Sequence, residues 1–173
     1  MAAIASGKRN RAGVFLALFA LAALVQFAVL LAAPVRPLVD GFSGRLASFS
    51  AWLIGALGGA CSHHGAFLTN PTKGFSMEIR DGCNGVNVVI LLWAAILAYP
   101  AGWKWKLAGL GGGMAAVEIL NLLRLISLYY LGQYSWPVFE FAHLYLWEML
   151  IILDAIVVFG FWSRRAVPGE SRR

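Results

Sequence analysis

Four long apolar runs divide the chain. They cover residues 14–33, 86–99, 107–131 and 143–162. At a rise of about 1.5 Å per residue, a helix of about 20 apolar residues crosses the roughly 30 Å hydrocarbon layer of a bilayer. The pattern therefore predicts four transmembrane helices, of which the second is short unless it begins near Cys83.

Residues 38–60 have a different pattern, which is typical of an amphipathic helix. Apolar side chains recur there at helical spacing, namely Leu38, Phe42, Leu46, Phe49, Leu53 and Leu57. The opposite face would carry Asp40, Ser43, Ser48 and Ser50. A fifth crossing at this point would place Lys104, Lys106 and the C-terminal arginines outside. We therefore expect this helix to lie on the outer membrane surface.

The segment between this helix and the second apolar run is rich in turn-forming residues, except that residues 75–80 alternate between apolar and polar as in a short half-exposed strand. We predict an all-α integral membrane protein with about four transmembrane helices, an outer amphipathic helix and a short extracytoplasmic strand and loop. The predicted parts are a basic cytoplasmic N-terminus (1–13), an anchor (14–33), the extracytoplasmic loop (34–82), a catalytic transmembrane core (83–162) and a basic cytoplasmic tail (163–173).

Composition agrees with a membrane protein. Of the 173 residues, 60% are hydrophobic and 13% charged, and the mean hydropathy is +0.73. Soluble domains contain about 45–50% apolar and about 25% charged residues. The net charge of +6 comes mostly from residues that flank the apolar runs, so it indicates topology and not nucleic-acid binding. Two cysteines without a CxxC motif exclude a disulfide scaffold and make structural zinc unexpected.

The distribution of Lys and Arg predicts a multi-pass membrane protein with both ends of the chain in the cytoplasm. This orientation keeps inside Lys8, Arg9, Arg11, Lys104, Lys106, Arg164, Arg165, Arg172 and Arg173. It leaves outside Arg36, Arg45, Lys73 and Arg80. The first run has the charged start of a signal peptide, but it is longer than the usual apolar core, so we interpret it as an uncleaved anchor.

Three reactive residues fall at the outer ends of three predicted spans. Cys83 is predicted in the first turn of the second span, with Asp81 as N-cap, where the helix dipole would lower the thiol pKa. Arg124 lies about 25 Å along the third span, with Asn121 one turn earlier. His143 opens the fourth span. A thiol, a guanidinium and an imidazole at one depth suit acyl transfer: Cys83 as nucleophile, His143 as general acid and base, and Arg124 as oxyanion partner.

The residues beside these three are the predicted substrate contacts, namely Asn84, Gly85, Asn121 and Trp147. Each reactive residue also has an ordinary explanation. Cys83 would serve as a small buried hydrophobe, Arg124 as a residue that snorkels to the headgroups, and His143 as an interfacial side chain.

Other polar residues leave further alternatives open. Cys61, His63 and His64 form a weak metal-binding pattern, and Cys61 could pair with Cys83 in a disulfide. Glu118 and Asp154 fall near the bilayer midplane, where acids serve proton relays or hydrogen bonds between helices. No metal or cofactor is predicted.

The motifs around the three residues resemble the exosortase/archaeosortase family over residues 75–161, most closely the compact exosortase H subtype. They are the segments Asp-Gly-Cys-Asn-Gly-Val (81–86), Asn-Leu-Leu-Arg (121–124) with Ser-Leu-Tyr-Tyr-Leu-Gly (127–132), and Phe-Ala-His-Leu-Tyr-Leu-Trp (141–147). The resemblance implies a membrane-embedded cysteine transpeptidase whose catalytic Cys, Arg and His correspond to Cys83, Arg124 and His143.

The family's substrates are exported proteins with a C-terminal sorting tail, which consists of a short motif, a transmembrane helix and a basic cluster. For the H subtype the motif is Ile-Pro-Thr-Leu, followed by a Trp-Gly pair. The enzyme removes the tail and joins the new C-terminus to a surface acceptor. Many members have more spans than this chain, and a homo-oligomer could supply what completes the substrate groove. The alternatives are a thiol oxidoreductase that uses Cys61 and Cys83, and a noncatalytic subunit that binds partner helices.

Overall fold

The computed structural model describes the backbone of residues 2–166 and the side chains of residues 12–166. In chain order, its elements are α1 (Ala2–Leu30), α2 (Arg36–Ala56), β1 (Ser62–His64), β2 (Phe67–Thr69), β3 (Ser76–Glu78), α3 (Val86–Ala98), α4 (Trp103–Tyr134), α5 (Trp136–Phe141), a π turn (Ala142–Leu146) and α6 (Trp147–Arg165). Most of the predicted basic tail and the side chains of Lys8, Arg9 and Arg11 lie outside the described residues.

Three helical segments in the described part of the chain are long and apolar enough to cross a membrane: Ala12–Leu30, Trp103–Tyr134 and Trp136–Arg165. The helix α3 is also apolar but has only 13 residues, or about 20 Å of rise. The structure therefore agrees with the predicted all-α membrane fold, with α3 as the short member of the four.

Helices α3, α4 and α6 pack against one another and form the centre of the molecule. Their buried side chains include Leu92, Val117 and Trp162. Gly113 allows α3 to approach closely, because a Cβ there would lie 2.8 Å from a methyl carbon of Leu92. Such small residues are the usual means by which membrane helices come together. Helix α1 packs on the outside of this bundle, against α3.

The predicted strand is β3, which is one edge of an antiparallel sheet with the order β1-β2-β3. The strands β1 and β2 were not predicted from the sequence, because each has only three residues and is too short to show an alternating pattern. A two-residue turn joins them, with Gly65 at φ 55°. The sheet packs between α2 and the C-terminal half of α4. Leu68, Ile79 and Leu125 are buried at that contact.

The predicted amphipathic helix is present as α2, and the apolar face that the spacing predicts is only partly buried. Ser43 and Ser50 are buried together with Leu46 and Ile54, whereas Phe49 is 50% exposed. Leu38 and Leu57 are exposed as well. A membrane protein has apolar surroundings outside, so large apolar side chains face outward at no cost. The small serines instead let α2 approach the rest of the chain, and Ser43 accepts a hydrogen bond from Asn84.

The central bundle has one basic end. There the Lys106 ammonium donates to the carbonyl of Leu97 (2.6 Å), and the Trp162 indole donates to the carbonyl of Trp105 (2.8 Å). Arg165 lies over the ring of Phe161 at the same end. The N-terminus of α3, the C-terminal half of α4 and the N-terminus of α6 meet at the opposite end. The predicted catalytic residues lie at that opposite end.

Candidate active site

Cys83 lies in a turn that precedes α3, and not in the first turn of the helix as predicted. The helix begins at Val86, after Gly85 adopts a left-handed conformation with φ 78°. A left-handed residue cannot continue a right-handed helix, so residues 81–85 form a separate turn. The predicted N-cap role of Asp81 is wrong as well. The side-chain oxygen of Asn84 accepts the hydrogen bond from the Val86 N–H (3.2 Å).

Gly85 allows the turn to pack directly against α4, because glycine has no side chain. A Cβ at this position would lie 2.6 Å from Oε1 of Glu118 and 3.1 Å from Nδ2 of Asn121. On its other side the turn is attached to α2, because the buried Asn84 amide donates to Oγ of Ser43 (3.2 Å). These contacts hold the Cys83 turn between α2 and α4, next to Arg124.

Arg124 is the charged centre of the site, and only 2% of the residue is exposed. Its guanidinium donates to Sγ of Cys83 (3.9 Å) and to the carbonyl of Gly82 (3.5 Å). It also forms an ion pair with Glu148 at 3.5 Å. The role of Glu148 was not predicted from the sequence. The available signal was that a buried arginine in a membrane protein needs a counter-charge, and that Glu148 is the first acid inside the fourth apolar run, counted from its outer end.

His143 does not open its span as predicted, since it lies in the π turn between α5 and α6. Its Nε2 is 3.8 Å from Sγ of Cys83, and the Phe139 ring stacks on the imidazole at a centroid distance of 5.7 Å. Within the turn, the Trp147 N–H bonds to the Ala142 carbonyl, five residues earlier.

The π turn explains how His143 and Glu148 serve one site. Positions five residues apart on a regular α-helix are rotated by about 140° from each other. The wider turn holds an additional residue, and both side chains reach the Cys83 and Arg124 cluster. Single π turns inside α-helices are frequent at functional sites. Apolar spacing alone does not reveal such a turn.

A cleft of about 350 Å³ opens between β3 and the helices α4 and α5. Cys83 and His143 both line it, together with Phe67, Phe75, Ser76, Met77, Glu78, Arg80, Leu125, Leu128, Trp136 and Phe139. A larger apolar groove lies at the basic end, between α4 and α6, and is lined by neither cysteine nor histidine. The cleft beside β3 is therefore the place where a substrate can reach the thiol.

The electrostatics at Cys83 differ from those predicted for a helix N-terminus. Burial raises the pKa of the thiol, the positive charge of Arg124 lowers it, and the negative charge of Glu148 raises it, with burial the largest effect. The predicted lowering of the Cys83 pKa is thus wrong. A resting thiol needs a base, and Nε2 of His143 is placed to be that base. Nδ1 of His143 is buried and has no hydrogen-bond partner in the described residues. In this part of the chain no third side chain of a catalytic triad therefore orients the imidazole there, and the arrangement is a Cys-His dyad with an arginine beside it.

The four predicted substrate contacts, Asn84, Gly85, Asn121 and Trp147, are buried and do not line the cleft. Asn84 and Gly85 support the turn, and Asn121 donates to Glu118 (3.4 Å). Trp147 packs with Leu128 behind the π turn. Direct substrate binding by these residues stays a prediction.

The remaining candidates lie apart from this cluster. Cys61 and Cys83 are both free thiols, and Sγ of Cys61 contacts the carbonyl of Ser62 (3.7 Å). His63 and His64 are exposed on β1, and in the part of the chain that the structure describes no three His, Cys, Asp or Glu side chains are grouped to hold a metal ion. Asp154 lines an apolar groove beside α4.

One comparison with known proteins agrees with the resemblance to exosortases. The family model Transmembrane exosortase (Exosortase_EpsH) matches residues 1–161. The chain matches no curated protein and no solved structure.

Proposed function

The chain belongs to the transmembrane exosortase family, and on that premise we propose that it is a membrane-embedded cysteine transpeptidase that removes the C-terminal sorting tail of exported proteins. The observation that carries the proposal is the cluster of Cys83, His143 and Arg124. Sγ of Cys83 lies 3.8 Å from the imidazole and 3.9 Å from the guanidinium, at the wall of an open cleft. Few arrangements other than nucleophilic acyl transfer need all three groups at one point.

The first half of the reaction forms a thioester. Nε2 of His143 takes the proton from Cys83, and Sγ attacks the carbonyl carbon of the scissile peptide bond. The negative charge that develops on the carbonyl oxygen is stabilised by the guanidinium of Arg124. When the tetrahedral intermediate collapses, the C–N bond breaks and His143 returns its proton to the leaving amine of the tail.

The second half of the reaction resolves the thioester. A nucleophile of the acceptor, or water, gives its proton to His143 and attacks the same carbonyl carbon. The C–S bond then breaks, and Cys83 recovers its proton. Transfer to a surface acceptor and hydrolysis differ only in this nucleophile. No metal ion or redox equivalent is needed for the balance of either step.

The basic end of the bundle supports the proposed orientation. Lys104, Lys106 and Arg165 lie at the end opposite to Cys83, and the excess of Lys and Arg in short flanks normally faces the cytoplasm. In this orientation the cleft opens to the periplasmic side of the inner membrane. A tail helix could then lie beside the spans while its recognition motif reaches Cys83.

The test is co-expression with an exported reporter whose tail carries the Ile-Pro-Thr-Leu motif, a transmembrane helix and a basic cluster. We expect the wild-type protein to shorten the reporter, as seen on a blot. Cys83→Ala should abolish shortening, and His143→Ala and Arg124→Ala should each slow it by about 100-fold or more. Equal membrane levels of all variants serve as the control for folding.

The matched control is Cys61→Ser, since a thiol oxidoreductase would require both cysteines. If Cys61→Ser shortens the reporter fully and Cys83→Ala does not shorten it, the result supports the transpeptidase and opposes the redox alternative. Shortening that persists in Cys83→Ala would overturn the proposal. An intact reporter beside well-expressed wild-type protein would count against it as well, and would favour the noncatalytic subunit.

A further inference from the structure

The strand β3 forms one wall of the active-site cleft and is an edge of the sheet. It pairs with β2 on one side, through the register Phe67↔Glu78, Leu68↔Met77 and Thr69↔Ser76. In the part of the chain that the structure describes, no strand pairs with its other side. Ser76, Met77 and Glu78 all line the cleft that contains Cys83.

The pattern of backbone bonds shows which groups of β3 face that open side. The Ile79 N–H donates to the carbonyl of Ala66, and the Asn70 N–H donates to the carbonyl of Phe75. Residues of an antiparallel strand alternate in the direction of their backbone groups, so Phe75, Met77 and Ile79 bond to β2. The N–H and C=O groups of Ser76 and Glu78 therefore point away from β2, along the open edge.

An open edge of this kind is normally covered or blocked, because its unpaired groups recruit another strand. Here the sheet ends at β3, and Arg80 and Glu78 form an exposed ion pair near the end of the strand. The edge continues through Arg80 to the turn that holds Cys83, only five residues after Glu78. Cys83 and this edge line the same cleft, so a peptide bond within reach of Cys83 is close to β3.

From this geometry we infer that the substrate peptide binds as an added strand on the open edge of β3, in the extended form, through backbone hydrogen bonds to Ser76 and Glu78. The inference rests on the proposed function. The cleft would then hold the recognition segment of the sorting tail, next to the scissile peptide bond. Binding by strand addition takes affinity from main-chain bonds and specificity from pockets for alternate side chains. The rings of Phe75, Trp136 and Phe139 supply apolar walls for such side chains.

The direct test is amide hydrogen exchange in Cys83→Ala protein in nanodiscs, with and without a synthetic tail that contains the Ile-Pro-Thr-Leu motif and its transmembrane helix. Strand addition should slow exchange at the N–H groups of Ser76 and Glu78 by about tenfold or more, whereas the Met77 N–H is already bonded to β2. Unchanged exchange at both positions with saturating tail would overturn the inference.

A pair of variants separates the backbone from the side chain. Glu78→Pro removes an N–H that the sheet does not use, which is tolerated on edge strands, whereas Glu78→Ala removes only the carboxylate. We expect Glu78→Pro to lower kcat/KM for the tail about tenfold more than Glu78→Ala does, mostly through KM, because only the proline variant loses the N–H. Alkylation of Cys83 should be equal in the two variants, since neither change touches the turn.

The outcomes distinguish this inference from the proposed function. Tail removal by wild type without protection of β3 would leave the transpeptidase standing and overturn strand addition. Protection of β3 without tail removal would support the peptide site and overturn the transpeptidase. Equal kcat/KM for Glu78→Pro and Glu78→Ala would likewise count against backbone recognition.

Discussion

Nε2 of His143 lies 3.8 Å from Sγ of Cys83, although 60 positions separate the two residues in the chain. The two reach each other because neither belongs to a regular α-helix. Cys83 is in the turn that Gly85 separates from α3, and His143 is in the π turn before α6. The reactive groups are thus carried by two local departures from helical geometry, each supported by long regular helices.

The first prediction concerns the ionisation of Cys83. Because burial raises its thiol pKa, iodoacetamide should alkylate Cys83 with a pH midpoint above the ordinary thiol value of about 8.5. The rate should therefore still be rising between pH 8 and pH 9. The measurement uses Cys61→Ser protein, so that only Cys83 reacts. A midpoint below the ordinary value would show a preformed thiolate and remove the need for His143 as base.

The second prediction separates the two charges that act on Cys83. The carboxylate of Glu148 raises the thiol pKa, so Glu148→Gln should lower it and speed alkylation severalfold at pH 7.5. Asp154→Asn, an acid-to-amide change on the same helix, is the matched control and should leave the rate unchanged. An equal effect of both variants would mean that the ion pair between Glu148 and Arg124 does not act on Cys83.

The third prediction concerns the shape of the Arg124 side chain. Its guanidinium reaches Cys83, the Gly82 carbonyl and Glu148 at once, and the single ammonium of lysine cannot reproduce this fork. Arg124→Lys should therefore lower kcat for tail removal by about 100-fold while the positive charge is kept. Single-turnover kinetics on purified protein provide the measurement. Activity of Arg124→Lys close to wild type would reduce the role of Arg124 to charge alone.

The fourth prediction tests the π turn itself. Deleting Tyr145, an exposed residue of that turn, should restore a regular helix and rotate His143 relative to Glu148 by roughly 100°. Tail removal should fall by about 100-fold or more, because the base no longer faces Cys83. Tyr145→Ala keeps the residue count and should retain activity. If the deletion variant removes the tail at the rate of Tyr145→Ala, the extra residue has no part in positioning the base.

The sequence predicted the long apolar helices well, since uninterrupted apolar runs have few alternatives in a bilayer. Arg124 lies on α4 as expected, because the position of each residue along a regular helix of 32 residues follows from its distance in sequence. The predicted start of α3 was wrong because a single residue, Gly85, determines where the helix begins despite the apolar pattern. Gly85 makes α3 begin after Cys83 and not before it, and the close contact of Gly85 with α4 involves residues that are distant in sequence.

The orientation of α2 shows a second limit. The spacing predicted an amphipathic helix but not which of its sides packs on the protein, where Ser43 and Ser50 are buried and Phe49 is half exposed. Apolar periodicity identifies the protein interior only where water surrounds the protein, because in lipid apolar side chains have no preference for the interior. Glu148 and the π turn were missed for a related reason, since their roles appear only when α6 is placed beside Arg124.

The last prediction concerns how the Cys83 turn is held against α4. Gly82 and Gly85 both have positive φ, at 88° and 78°. The space around Gly82 is open, whereas a Cβ on Gly85 would meet Glu118 at 2.6 Å. Gly82→Ala should therefore cost only the left-handed strain of about 1–2 kcal/mol. Gly85→Ala should cost about 1–3 kcal/mol more, because the turn or Glu118 has to move.

Thermal unfolding in detergent gives the stability of each variant, and alkylation of Cys83 in Cys61→Ser protein reports whether the turn has shifted. Gly85→Ala should lower the melting temperature more than Gly82→Ala and change the alkylation rate of Cys83. Adding Glu118→Ala should recover part of the loss in Gly85→Ala and none of it in Gly82→Ala, because only Gly85 contacts that side chain. Equal losses in the two glycine variants would mean that the turn is held by its backbone conformation and not by its contact with α4.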